Sequence, residues 1–175
     1  TRSLWPLKHS EQQEGRHMTT EIEIVPSGVA SMMRAEIDVQ ISTAHAYPRN
    51  VAAVIDSAKS IATRTQEIAE ACTYSKPIGK GEFAEGPSIR LAEIVFSTWR
   101  NLRGGARIVE VGERHITAQG VVHDLESNVV FTAEVQRSIM SSSKRGKPYR
   151  YSDNLIAVTC QAAQAIAFRN AVFKA

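Results

Sequence analysis

The chain has 175 residues, 43% of them hydrophobic, with a formal net charge of +3 at pH 7. This length sets an expectation of one domain, and the apolar fraction is ample for a core and argues against global disorder. No apolar run approaches the roughly 20 residues of a membrane-spanning helix, and so mild a charge does not by itself imply a nucleic-acid partner.

Thr1 to His17 carries no apolar period and precedes Met18, so 1–17 reads as an expression leader without order of its own. The natural start is then Met18, and 18–175 forms one domain. Thr19 to Gly28 is a short polar–apolar lead-in. Val29 to Ala44 reads as a helix with Met33, Ile37, Gln40 and Ile41 along one side. Tyr47-Pro48 breaks it, because the residue before a proline is driven out of the helical region. Asn50 suits an N-cap. After it, Val51, Val54, Ile55, Ala58, Ala62, Thr65, Ala69 and Cys72 predict one continuous second helix. Thr73 to Glu85 reads as a hairpin, with Tyr74 and Lys76 going out, Gly79-Lys80-Gly81 at the tip and Phe83 returning. A Gly-Lys-Gly loop also invites a phosphate cradle, but the Lys-Ser/Thr pair of a P-loop is absent.

Gly86 to Ile139 predicts a helix feeding three antiparallel strands. Gly86-Pro87 is expected to open the helix, with proline in its first turn. Ile89, Ala92, Val95, Phe96, Trp99 and Leu102 then recur at helical spacing against Arg90, Glu93, Ser97 and Arg100, and Gly104-Gly105 is the expected end. Arg107 to Val111 is the first strand and Gly112-Glu113 the turn. In the second, Ile116, Ala118, Gly120 and Val122 face one way and His115, Thr117, Gln119 and His123 the other. In the third, Val129, Phe131, Ala133 and Val135 alternate with Val130, Thr132, Glu134 and Gln136. Such alternation means one buried and one wet sheet face. Ser141 to Arg150 is a serine-rich basic linker. Ser152 or Asp153 caps a last helix, with Leu155, Ile156, Thr159, Ala162, Ala163, Ile166, Asn170 and Phe173 as its apolar stripe and many alanines to permit close packing. Cys72 and Cys160 read as small buried hydrophobes in a reducing cytoplasm. The fold class is α+β: a three-stranded antiparallel meander plus a short hairpin packed against helices, with a long C-terminal helix.

Catalytic signals are thin. There is no Gly-x-Ser-x-Gly elbow, and His45, His115 and His123 are scattered. Asp124 with Glu134-Val135-Gln136 is a weak echo of the Asp…Glu-x-Lys pattern of Mg²⁺-dependent nucleases, with Gln136 in the place of the lysine. Binding is better supported. Arg137, Lys144, Arg145, Lys147 and Arg150 follow one another with no acid between them, and Tyr149 and Tyr151 flank Arg150. Arg90, Arg100, Arg103 and Arg107 sit on or just after the Trp-bearing helix. Cations follow a phosphate backbone while rings and guanidinium planes stack on bases, and no recognition helix for duplex is evident. The candidate interface is therefore Arg90, Arg100, Arg103 and Arg107 as a groove floor, Lys144, Arg145, Lys147, Tyr149 and Arg150 as a clamp, and Arg137 and Arg169 beside them. The competing role for each arginine is an ion pair with Glu93, Glu110 or Glu113.

The runs from Gly86 to Glu93, Trp99 to Leu102, Ala118 to Glu126, Thr159 to Ala163 and Ile166 to Ala171 resemble phage and prophage single-strand annealing recombinases of the RecT, Redβ and Erf superfamily. The likeness covers roughly residues 34–175 and lies chiefly in the order hairpin, helix, meander, long helix. It implies a RecT-like core and an ATP-independent protein of the bacterial cytoplasm that assembles into rings or helical filaments. Such an assembly would hold single-stranded DNA in a basic groove, with bases free to pair, in phage-type homologous recombination. It implies no cofactor, with Mg²⁺ at most modulating DNA binding, and no membrane. Its partners would be single-stranded DNA, further copies of the chain, and a phage exonuclease or host single-strand-binding protein. The alternatives are a Mg²⁺-dependent nuclease and a non-catalytic phage structural or regulatory protein.

Overall fold

The computed structural model of the chain describes residues 28–141 and 147–175. The expected leader, the start at Met18 and the lead-in before Gly28 lie outside the described residues. In chain order the elements are α1 (Gly28–Ala46), α2 (Val51–Ala62), α3 (Gln66–Ala71), β1 (Thr73–Gly79), β2 (Glu82–Pro87), α4 (Ile89–Trp99), β3 (Leu102–Val111), β4 (His115–Asp124), β5 (Val129–Ser138) and α5 (Asp153–Val172). The class is α+β, as expected. β3, β4 and β5 form an antiparallel meander in that order, and β1 and β2 form a separate hairpin.

Three boundaries differ from expectation, each for a local reason. The continuous helix from Val51 to Cys72 is instead two. Thr63 Oγ1 donates to the Lys59 carbonyl, and Thr65 Oγ1 accepts the Ile68 N–H as a new N-cap. Threonine side chains offer the backbone these alternatives to a continuing helix, while the apolar spacing runs on unbroken across them. Gly86-Pro87 belongs to β2 rather than to α4. Ser88 is the true cap, its Oγ accepting the N–H groups of Arg90 and Leu91. Finally, α4 stops at Trp99, because Arg100 (φ 62°) and Asn101 (φ 49°) turn the chain, and Gly104 and Gly105 are already inside β3.

The hairpin tip follows the sequence closely. Lys80 and Gly81 both have positive φ, the pattern that suits a two-residue turn to the twist of its strands. Most of the arm is uncovered, with Ile78 62% and Phe83 60% exposed. In α1, Ile37, Gln40 and Ile41 are half-buried and Ala44 is buried, but Met33 is exposed.

α5 lies across all three meander strands and defines the core. Ile116, Ala118 and Val122 of β4 are fully buried beneath it, and the wet face of the strand is the one expected. The buried line of α5 is Ala163, Ala167 and Ala171, not the broader stripe that runs from Leu155 to Phe173, both of which are exposed. Close approach explains the difference. A Cβ built on Gly120 would stand 2.2 Å from the Ala167 carbonyl oxygen, so only methyl groups fit between helix and sheet. The larger residues are turned to the flanks, where Phe168 meets Phe96 edge to face at 5.2 Å. α5 is long and apolar enough to cross a membrane by length and composition, but its alanine face is the cover of the sheet. Cys72 is buried and Cys160 half-buried, both as free thiols.

The linker ends are pinned as a short antiparallel pair. Ser141 N–H donates to the Tyr149 carbonyl and Tyr151 N–H to the Ile139 carbonyl, with a bridge between Met140 and Arg150.

Gly120→Ala is expected to lower the unfolding free energy by roughly 3 kcal/mol, since neither side of the contact can yield without moving backbone. Gly105→Ala, on the neighbouring strand with open space before it, should stay within about 0.5 kcal/mol. Urea titrations of both variants check this, and equal effects would refute the close-packing account.

Candidate nucleic-acid interface

Among the described residues α5 covers one face of the meander, and the other face is met by α1 only where Glu36 and Gln40 reach Arg103. That face carries Arg103 and Arg107 from β3, Thr117, Gln119 and His123 from β4, and Thr132, Glu134 and Gln136 from β5, as the register dictates. Arg107 donates to Gln119 Oε1 at 3.2 Å, and Gln119 Nε2 donates to Glu134 at 3.2 Å, forming a polar ladder across three strands.

The sequence-derived candidates fall in several places. Arg90 and Arg100 lie near opposite ends of α4. Eleven residues of helix separate such ends by about 16 Å. Arg90 pairs with Glu93 at 2.9 Å with both side chains well exposed, the competing role expected for it. Arg103 is held by Glu36 and Gln40 of α1, at 2.8 Å each, an acid outside the expected set. Arg100 is exposed, and Arg100 and Arg137 have no side-chain hydrogen-bond or ion-pair partner among the described residues. Arg150 donates to the Gly112 and Glu113 carbonyls, so it fastens the linker to the β3–β4 turn. Lys147 and Tyr149 are exposed beside it, while Lys144 and Arg145 lie outside the described residues. Of the four arginines named as a groove floor, Arg103 and Arg107 share one face of the sheet, while Arg90 is in the first turn of α4 and Arg100 caps its end.

Asp124 and Glu134 are also apart. Asp124 is paired in register with Val129, and Glu134 with Gln119. Asp124 instead accepts Arg49. This arginine, which the sequence reading passed over, is 6% exposed and bonds both Asp124 and Glu126, the latter at 2.7 Å. Its backbone N–H adds a second bond to Glu126, Asn101 Nδ2 adds a third, and the guanidinium lies 5.5 Å from the Trp99 ring centroid. Burial works to raise the Glu126 carboxyl, but the hydrogen bonds from Arg49 and Asn101, with the Arg49 charge, outweigh it and hold it below its ordinary value. The Trp99 indole N–H is buried without a partner among the described residues. Among those residues no group of three His, Cys, Asp or Glu side chains is placed to hold a metal ion.

Arg169 has a different setting. Its guanidinium stands 5.0 Å from the Tyr74 ring centroid and donates through Nε and Nη2 to Asn170 Oδ1. Tyr74 is paired with Gly86 across the hairpin, and a Cβ on Gly86 would be 3.2 Å from the Tyr74 ring. The bare glycine therefore lets the ring lie over β2. Beyond this stack is an open recess of about 400 Å³, lined by Tyr74, Pro87, Ala133, Glu134, Arg169, Asn170, Phe173 and Lys174.

Comparison with protein-family models, with curated proteins and with solved structures returns no match for the chain.

The Arg49 cluster makes a pH-dependent contribution with a definite sign. A carboxyl lowered on folding stabilises above its unfolded value, near 4.5, and that contribution is lost as pH falls through the folded value. Arg49→Met is expected to cost about 3 kcal/mol at pH 7, because two largely buried carboxylates lose their partner. The loss of stability between pH 5 and about 3 should be smaller in the variant, because unopposed burial no longer favours the ionised Glu126. Denaturant midpoints across pH test both statements.

Proposed function

We propose that the chain is a subunit of an ATP-independent single-strand annealing protein. It binds single-stranded DNA and pairs complementary strands in phage-type homologous recombination, in a bacterial cytoplasm. The observation that carries this reading is how the surface is divided. Arg100, Arg107, Arg137, Lys147 and Arg169 have no carboxylate partner among the described residues, while apolar side chains stand uncovered at several junction-like places. These are Val29, Met32 and Val39 on α1, Ile78 and Phe83 on the hairpin, and Val109, Val111, Val129 and Val130 on the two outer strands, whose edges are unpaired among the described residues. Open edges and uncovered apolar helices favour self-association in a heterologous, ring- or filament-forming manner. Within such an assembly the few cations of each subunit repeat along one polyanion, and their weak contributions multiply. The wet sheet face and the basic linker are the surfaces assigned to DNA. The resemblance of the element order to that of annealing recombinases supports the same reading.

Two complementary labelled oligonucleotides, mixed with the protein with and without Mg²⁺, test it when annealing, cleavage and particle size are read together. The expectation is duplex formation without nucleotide or metal, in particles much larger than a monomer. Mg²⁺-dependent cleavage, or self-association without pairing, would replace this reading with the nuclease or the structural protein. Replacing Lys144, Arg145 and Lys147 together by alanine should weaken binding and reduce the slope of log K against log salt by about 2. An unchanged slope would remove the linker from the interface.

A further inference from the structure

The recess at the end of α5 has a chemistry that the open sheet face lacks. Its rim brings together two aromatic rings, Tyr74 and Phe173, two cations, Arg169 and Lys174, and one amide, Asn170. Glu134 also borders it, but the Glu134 carboxylate is on the other face of the sheet, accepting from Gln119. Lys174 Nζ is held by the Thr132 carbonyl at 2.8 Å and faces no acid among the described residues. The carbonyl end of α5 contributes about half a negative charge nearby, which two full cations exceed.

The guanidinium of Arg169 is prepared before any ligand arrives. Tyr74 lies over the bare Gly86 and Arg169 lies over Tyr74, so an ordered pile of three layers rises from the hairpin. Nε and Nη2 are tied to Asn170, which fixes the rotation of the plane. A second recess of about 210 Å³, lined by Ser88, Ile89, Ala165 and Ile166, adjoins the same Tyr74–Arg169 pair. The pair thus stands as a ridge between two hollows. A flat delocalised cation set over a ring and held at Nε and Nη2 offers its other face and its Nη1 edge to a planar partner, and a lysine within the same recess suits a phosphate.

We propose that this recess is a nucleotide pocket. A nucleobase stacks on Arg169 beside Phe173, Lys174 takes the phosphate, and Gly86 is a positioning residue that acts through Tyr74. The occupant is a nucleoside phosphate unit, either free or as one residue of a single strand. The strand source rests on the annealing function proposed above, whereas the pocket chemistry does not.

The test uses 2-aminopurine, whose fluorescence falls on stacking, in two forms: the free deoxynucleoside monophosphate, and a single 2-aminopurine within an oligothymidylate. Inorganic phosphate serves as the competitor. The full chain is expected to quench both probes. Arg169→Lys keeps the charge but loses the plane, and should weaken binding of each probe roughly tenfold. Lys174→Gln should weaken both and abolish competition by phosphate. Gly86→Ala should reduce the quench at saturation without altering the salt dependence. Thermal melts monitor folding, and if Arg169→Lys does not fold, Phe173→Ala and Lys174→Gln carry the test. Quenching of the monophosphate that depends on Arg169, in a chain that binds no strand, would keep the pocket and end the annealing reading. Strand binding with a wild-type quench in Arg169→Lys and Lys174→Gln would overturn the pocket and leave annealing in place, and absence of any quench would overturn the pocket.

Discussion

The contact between Gly120 and Ala167 governs the arrangement of everything around it. A helix that touches sheet backbone must present methyl groups along one line, and a strand so touched must be bare at the crossing point. Once α5 is seated at that depth, its remaining side chains have only the flanks to occupy. Phe168 goes to α4 and Arg169 to the hairpin. The same seating leaves the opposite face of the meander without a full layer among the described residues, and an α+β domain normally covers only one face of such a sheet. Thus one short contact decides which face is core, which face is wet, and where the end of α5 emerges.

A second constraint sits at the far corner. Arg100 adopts φ 62° and ψ 165°, a region that side-chain-bearing residues avoid at a cost on the order of 1–3 kcal/mol, and Asn101 follows with φ 49°. Such a corner persists only when its neighbours over-determine it. Asn101 is held on both sides, by Tyr47 and Glu126 through its side chain and by Leu125 through its carbonyl. Arg49 closes the group from the α1–α2 connection. The cluster therefore ties three connections together: α1 to α2, α4 to β3, and β4 to β5. Buried charged centres often stabilise less than apolar packing of the same volume, but removing one partner is costly, and here the partners come from all three connections.

Much of the fold was legible in the sequence because two periods are hard to disguise. The alternation from His115 to Asp124 gave β4 its buried and wet faces, and Gly79-Lys80-Gly81 gave the hairpin tip. The three boundary errors share a cause: each lay where polar side chains outvoted the apolar spacing. Thr63 and Thr65 cut a helix whose hydrophobic stripe runs on, Ser88 moved a helix start that Pro87 seemed to own, and Asn101 ended α4 before the glycines that looked like its stop. In α5 the broad apolar stripe contained the packed line but could not identify it, since only the partner strand reveals that Gly120 demands alanine. The candidate interface was less legible. Charge runs say which cations exist, but the acid that engages Arg103 is Glu36, 67 residues away, and no local pattern links them. Arg49 was invisible for the same reason.

This distribution also bears on how strongly one subunit can hold a polyanion. Exposed pairs such as Arg90 with Glu93 contribute little to stability, on the order of 0–1 kcal/mol, so a phosphate can compete for such an arginine at small cost. Arg49 cannot be recruited in that way, because leaving two carboxylates behind in a largely buried site would cost several times more. The cations therefore sort by burial rather than by sequence position. Arg90, Arg103 and Arg107 are available on exchange, Arg100 and Arg137 without it among the described residues, and Arg49 not at all. On the function proposed above, a chain whose net charge is only +3 gains most on a polyanion where the available set repeats along the ligand, a repetition that contacts between subunits would supply. The uncovered valines on both sheet edges and the exposed face of α1 lie where such contacts would form. Affinity for a strand and self-association would thus be coupled, so that a substitution on a sheet edge should weaken strand binding as surely as one on a cation.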